Sequence, residues 1–178
     1  MMAPERPADL VNPRSGEQVW FESDQKETRI RGIIPPHSPG PPLRRQLRTV
    51  EHPTVLRGRL RYTIEGHVHE LGPGDSVVIP MGAAHRFENP YVEEAVIENR
   101  TAPAFVHEVA MRLMYAALSR RRPNPLELVV AFREGDSYPA RVPVVVVNLV
   151  YWISRVTGVA ARFRRANLSA SLAQGSRG

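Results

Sequence analysis

GDSVVIPMGAAHRFEN, residues 74–89, sets turn formers and short β-forming runs at fixed intervals. Gly74 turns the chain into a strand, Pro80 ends that strand, and Gly82 permits the corner that reverses it. His85 then enters the next strand with Phe87 and Asn89 on its own face, because side chains alternate along a strand. A buried or half-buried histidine is thus presented at the start of a strand, between two tight corners.

The same texture extends in both directions. QVWFES (18–23) and ETRIRGII (27–34) are β-rich runs, and the Pro/Gly cluster PPHSPGPP (35–42) interrupts them. In RLRYTI (59–64), Leu60, Tyr62 and Ile64 alternate with Arg59, Arg61 and Thr63, the period of a half-buried strand. Glu65-Gly66 forms a hairpin turn, HVHEL returns, GPGD (72–75) turns again, SVVIP and HRFEN follow, and VEEAVIENR (92–100) supplies a further strand. Many short strands punctuated by Gly and Pro predict a small antiparallel barrel or sandwich.

After Pro103 the pattern becomes helical. AFVHEVAMRLMYAALSR (104–120) spaces Phe105, Val109, Leu113 and Ala116 at helical intervals, and PLELVVAF (125–132) reads as another short helix. The most apolar segment is PVVVVNLVYWISRVTGVAARF (143–163). Asn148, Ser154 and Arg155 interrupt it, so a packing helix on the barrel or at a dimer interface is expected rather than a membrane span. The expected organisation is a flexible N-terminus (1–15), a β-barrel (16–102), a helical extension (103–166) and a disordered tail (167–178).

Composition narrows the function. A chain of 178 residues and 20.0 kDa accommodates one domain with a helical appendage. The absence of cysteine excludes disulfides and thiolate metal sites. The polar, Pro-rich start lacks the apolar run of a secretory signal, and a cytoplasmic protein is expected. The net charge of +6 comes almost wholly from arginine, Lys26 being the sole lysine. Basic residues are spread along the chain, with local concentrations at Arg120–Arg122 and Arg162–Arg165 near predicted helix ends, so nucleic-acid binding is not expected.

The 74–89 stretch matches, without a gap, the second motif of the cupin superfamily, G(X)5PXG(X)2H(X)3N, through Gly74, Pro80, Gly82, His85 and Asn89. The first motif, G(X)5HXH(X)3,4E(X)6G, is similar to the segment 40–58, where Glu51 and Gly58 are correctly spaced. Counting back from Glu51, the two histidine positions hold Arg44 and Gln46 at one allowed spacing, or Arg45 and Leu47 at the other. The resemblance covers roughly residues 15–102. It implies a cupin (jelly-roll) antiparallel β-barrel, mainly β, with a C-terminal α-helical extension, resembling single-domain bacterial members of the RmlC-like type that commonly dimerise.

In metal-bearing cupins three His and one Glu hold a divalent ion. Here only Glu51 and His85 remain, and a charged guanidinium repels a cation, so no metal and no cofactor is expected. HVHE (67–70) offers His67 and His69, but with the acid at the wrong spacing and beside a hairpin turn, so edge-strand roles are expected. His37, His52 and His107 are read as having no role in a site.

Glu51 and His85 are therefore the expected catalytic pair. If the strand Leu43–Thr49 takes the longer spacing, Arg44, Gln46 and Arg48 share one face and join Phe87 as substrate-binding residues. The expected ligand is an anionic or enolisable small molecule, and the expected function a metal-independent isomerase or cyclase of biosynthetic metabolism. Two alternatives stand beside it: a non-catalytic ligand binder in which Arg44 neutralises Glu51, and a metal-dependent, dioxygenase-like member with unusual ligands.

Overall fold

Thr28, Ile30, Gly32 and Ile34 alternate with more exposed Arg29, Arg31 and Ile33, and this period-two strand lies near the middle of the first of two sheets. The computed structural model describes residues 6–174. In chain order the elements are β1 (Leu10–Val11), β2 (Gln18–Ser23), β3 (Thr28–Ile34), β4 (Arg44–Arg45), β5 (Val50–Arg57), β6 (Leu60–Ile64), β7 (His67–Leu71), β8 (His85–Glu88) and β9 (Ala95–Ala102). Then follow α1 (Val106–Leu118), α2 (Pro125–Glu134), β10 (Tyr138–Pro139), α3 (Val144–Val156) and α4 (Val159–Gln174). The described strands form two five-stranded antiparallel sheets, ordered β1-β2-β3-β9-β5 and β10-β4-β8-β6-β7. The architecture is the mainly β, jelly-roll barrel with a C-terminal helical extension expected from the sequence.

Ile34, Val55, Leu60, Tyr62, Leu71, Ile79, Ala95 and Ile97 meet between the sheets as the barrel core. A second core lies within the extension, where Leu113 and Ala117 of α1 pack with Val130 and Ala131 of α2 and with Ala160 and Phe163 of α4. A third cluster joins the two: Val19, Phe21 and Ile30 of the first sheet pack against Tyr115 of α1. The extension is thus seated on the barrel by apolar burial and does not hang from it.

The corners follow the motif. Gly74 and Gly82 have φ of +90° and +84°, and open space surrounds the position of a Cβ at each. Backbone conformation, not crowding, requires glycine there. Asn89, fully buried, donates through Nδ2 to the carbonyls of Ile34 (3.2 Å), Pro35 (3.1 Å) and Glu93 (2.8 Å), while its Oδ1 accepts from the Tyr91 N–H at 3.1 Å. The last residue of the motif is a staple at the end of β8.

Five local expectations differ from what is observed. SVVIP is not a full strand: it pairs with β5 through bridges at Glu51/Ile79 and Thr54/Ser76, and between them the Val77 N–H donates to the Pro53 carbonyl at 3.2 Å while Pro53 has no N–H to return. The expected strand over 43–49 shrinks to Arg44–Arg45. At the N-terminus, residues 6–15 are not loose: β1 pairs with β2, Asp9 Oδ2 accepts from the Phe21 N–H (2.8 Å), and Trp20 Nε1 donates to the Arg6 carbonyl (2.9 Å). Residues 1–5 lie outside the described part.

The single helix expected over 143–163 is divided at Gly158, φ +74°, where the axes of α3 and α4 turn by 86°. α4 runs on through Asn167, whose Nδ2 donates to the Phe163 carbonyl (2.7 Å), to Gln174. The tail expected from Asn167 is therefore helical as far as it is described, and residues 175–178 lie outside the description. Among the described residues no single helix is long and apolar enough to cross a membrane.

Candidate active site

A cavity of about 580 Å³ opens between the sheets, with α1, α2 and β10 forming its outer wall. Its inner surface is largely apolar, built from Ile30, Ile34, Ile97 and Phe87 of the barrel and Met111, Met114, Leu118 and Phe132 of the extension. Arg44, Glu51, Asn99 and His107 line it as well and gather around the Glu51 carboxylate, with Tyr62 beside them.

Glu51 is the hub. It sits on β5 opposite Thr101 of β9, so the adjacent strand sends Asn99 to it, and Asn99 Nδ2 donates to Glu51 Oε2 at 2.7 Å. Three nitrogens surround the other oxygen, Oε1: His85 Nε2 at 3.3 Å, His107 Nδ1 at 3.7 Å and Arg44 Nη2 at 3.8 Å. Burial alone would raise the carboxyl pKa, but His107, His85 and Arg44 more than offset it and hold Glu51 well below the usual carboxylate range. Glu51 therefore remains a carboxylate at neutral pH.

His85 stands behind Glu51, fully buried, and is not part of the cavity wall. Its Nδ1 lies 3.0 Å from the Ala83 carbonyl, an acceptor only, so Nδ1 carries the hydrogen and Nε2 faces the carboxylate. His85 is thus the inner support of the carboxylate and has no direct view of a ligand.

His107 faces the cavity. The Phe105 N–H donates to Thr28 Oγ1 at 2.8 Å, which anchors the start of α1 to β3 and points its first turn, with His107, inward. Burial pushes the His107 pKa down, and Arg44 and His85 add to this, while Glu51 opposes it. The first turn of a helix also disfavours a positive charge. His107 is neutral at neutral pH.

Of the residues expected in the site, Glu51, Arg44 and Phe87 line the cavity, and His85 stands in contact with Glu51. Gln46 and Arg48 do not belong to it. The chain leaves the ladder after Arg45, so strand alternation no longer applies. Gln46 is buried away from the cavity, its carbonyl accepting from the Gly82 N–H at 2.6 Å. Arg48 turns outward to Asp136 (Nε to Oδ1, 3.4 Å), the same buried carboxylate that accepts from the Arg48 N–H and from Thr49 Oγ1. Arg45 also faces away, donating to the Ala140 carbonyl.

His67 and His69 are exposed on the edge strand β7, and His37 and His52 are exposed as well. His107, read as having no role, is the residue that sequence reasoning missed. The signal was present: His107, Ala110, Met111, Met114 and Leu118 fall on one face of α1, a polar residue on an otherwise apolar stripe.

A metal does not fit this centre. The Arg44 guanidinium occupies the neighbourhood of Glu51 Oε1, and among the described residues no group of three or more His, Asp or Glu is arranged to hold an ion.

Toward the mouth, Tyr115 brings a buried hydroxyl with no hydrogen-bond partner, and Glu17 a partly buried carboxyl whose pKa burial raises. Deep in the cavity, Arg44 Nη1 and Glu51 Oε1 are likewise buried without a hydrogen bond.

Residues 31–98 match the family model described as a Cupin domain. Over 40 residues the chain is 50% identical to the mannose-1-phosphate guanylyltransferase ManC of Salmonella typhimurium, a match that covers 22% of this chain and 8% of that protein. An RmlC-like cupin from Shewanella frigidimarina superposes with a TM-score of 0.50 at 14% identity, covering 58% of this chain and 90% of that one. KdgF from a Halomonas species gives 0.49 at 20% identity, covering 55% and 87%. At 14% identity the likeness to the Shewanella protein is one of fold.

Proposed function

We propose that this chain, whose residues 31–98 match a Cupin domain, binds an apolar, enolisable carbonyl compound in its barrel and isomerises or cyclises it by proton transfer without a metal. One observation carries the reading: a neutral histidine, a carboxylate and a guanidinium with an unpaired N–H converge at one region of an otherwise apolar cavity.

Each residue has a role that follows from its surroundings. His107 lines the cavity unprotonated and accepts a proton from the carbon next to the carbonyl. Glu51, ionised, stabilises the imidazolium that forms and holds the ring in place, much as a carboxylate supports a histidine base in other enzymes. Arg44 donates to the oxygen on which enolate charge develops. His85 and Asn99 position Glu51. Because Glu51 already balances Arg44, and Arg48 is directed elsewhere, the cavity carries no surplus of positive charge. The ligand class is therefore neutral and apolar with an enolisable oxygen function, and a strongly anionic ligand is disfavoured.

Proton abstraction can be read without knowing the natural substrate. A panel of apolar ketones and enones is incubated with the protein in deuterated water, and exchange at the carbon next to the carbonyl is followed by NMR. Protein-dependent exchange, lost in His107→Gln and reduced about a hundredfold or more in Arg44→Met, is the expected result. Binding of the same compounds with no exchange would leave a ligand-binding cupin in which Arg44 and Glu51 merely neutralise each other.

A further inference from the structure

α3 is apolar on two faces, and only one of them is packed. Val147 and Ser154 turn inward toward the extension. On the opposite face Val145 (70% exposed), Leu149 (61%), Trp152 (60%) and Val156 (62%) stand in solvent, flanked by exposed Val146, Ile153 and Val142. A contiguous apolar surface of this kind on an otherwise charged protein marks an interaction site.

Charge indicates what it meets. Asp136 is the last acidic residue of the sequence, and after it come Arg141, Arg155, Arg162, Arg164, Arg165 and Arg177. From residue 103 onward eleven arginines face four acidic residues, a balance of +7, whereas residues 1–102 carry thirteen basic and fourteen acidic residues. The positive charge of the protein therefore resides in the extension. Arg141 just ahead of α3, Arg155 on its flank and Arg162 in α4 are all exposed.

We propose that the outer face of α3 docks in the plane of an anionic lipid bilayer surface, the apolar side chains entering the headgroup boundary while the arginines meet lipid phosphates. An apolar helix face with a basic rim is what such a surface binds, and Trp152 suits the interface with its large amphipathic ring. The 86° turn at Gly158 leaves α3 to lie along the surface without having to cross it. A second copy of this chain is the less suited occupant. A two-fold contact through α3 would bring the same arginine rim together from both sides, and neither α3 nor α4 offers an acidic residue to pair it. Nucleic acid has no use for the apolar face.

The test uses the full chain with vesicles of phosphatidylcholine alone, or of equal parts phosphatidylcholine and phosphatidylglycerol. Co-sedimentation with the anionic vesicles is expected, at least about tenfold tighter than with the neutral ones and weakened by salt. The emission of Trp152 should shift to the blue on binding, while Trp20, buried in β2, reports a constant background. Val145→Ser with Leu149→Ser should weaken binding about tenfold or more, and Arg155→Glu with Arg162→Glu at least about fivefold per residue, each with an unchanged melting temperature. The proposal is overturned by the absence of binding to anionic vesicles, or by binding that neither variant alters. It is equally overturned if the protein is a dimer in solution that the serine variant renders monomeric, or if duplex DNA competes fully and the serine variant binds as well as the parent.

Discussion

His107 and Glu51 illustrate how two titratable side chains acquire opposite characters a few ångströms apart. Both are buried, but Glu51 has a guanidinium and an amide donor while His107 sits in the first turn of a helix. The carboxyl is held charged and the imidazole neutral. Both shifts act in the same direction on stability. A carboxyl with a lowered pKa stabilises the fold above its ordinary value of 4.5 and loses that contribution as pH falls below it. A histidine with a lowered pKa binds its proton more readily in the unfolded chain, so stability declines as pH falls through 6.5. Melting temperature should therefore fall from neutral pH toward acid in two stages, and His107→Gln should remove the first and diminish the second, since His107 also helps to hold Glu51 ionised. An unchanged profile in that variant would place the titrating group elsewhere. Asn89 is a purely structural counterpart: Asn89→Ala leaves the carbonyls of Ile34, Pro35 and Glu93 and the Tyr91 N–H without their partner, and should cost about 2–4 kcal/mol in denaturant unfolding.

Among the elements, α1 has the widest influence. It closes the cavity, carries His107 and joins two hydrophobic clusters, yet no side chain caps its start. What fixes its entry is the bond from the Phe105 N–H to Thr28 Oγ1. Thr28→Val should preserve the packing of β3, cost about 1 kcal/mol, and speed amide exchange in the first turn of α1. Exchange at the parent rate would mean that packing alone seats the helix. α1 also shows why part of the site was hard to read: its histidine lies on an apolar stripe, where a packed core residue is the more common occupant. For Arg44 the pattern was legible because it lies in the ladder, paired with His85 of β8. For Gln46 and Arg48 it was not, because the chain leaves the sheet to bind Asp136, a residue 88 positions from Arg48.

The barrel and its extension are joined by shared apolar packing. Residues from α1, α2 and α4 share a core, and α1 covers Val19, Phe21 and Ile30 of the first sheet. Deleting residues 143–178 would strip Ala160 and Phe163 from that core and uncover Leu113 and Val130, so insoluble or molten protein is expected. A truncated chain melting cooperatively at the parent temperature would show that α3 and α4 contribute nothing to the rest. Metal content tests the electrostatics of the assembled centre. With Arg44 beside Glu51, dialysed protein should hold far less than one equivalent of zinc, iron, nickel or manganese by elemental analysis. Near-stoichiometric metal that is lost in His85→Ala would refute this.

The motif at residues 74–89 determined the barrel by itself, because corners, strand ends and the Asn89 staple are local demands that a few residues meet within one or two turns of chain. The family resemblance also paired His85 with Glu51, although β8 and β5 lie in different sheets and meet across the barrel interior. Tertiary structure alone decided that His107 joins the site, that Arg48 leaves it, and that α3 keeps one apolar face uncovered. Each of these depends on where a distant element is seated: α1 on β3, the α2–β10 loop against the segment after β4, and α3 against α2. Sequence periodicity gives the face of an element, but the neighbour that meets that face is chosen by packing among elements far apart in the chain.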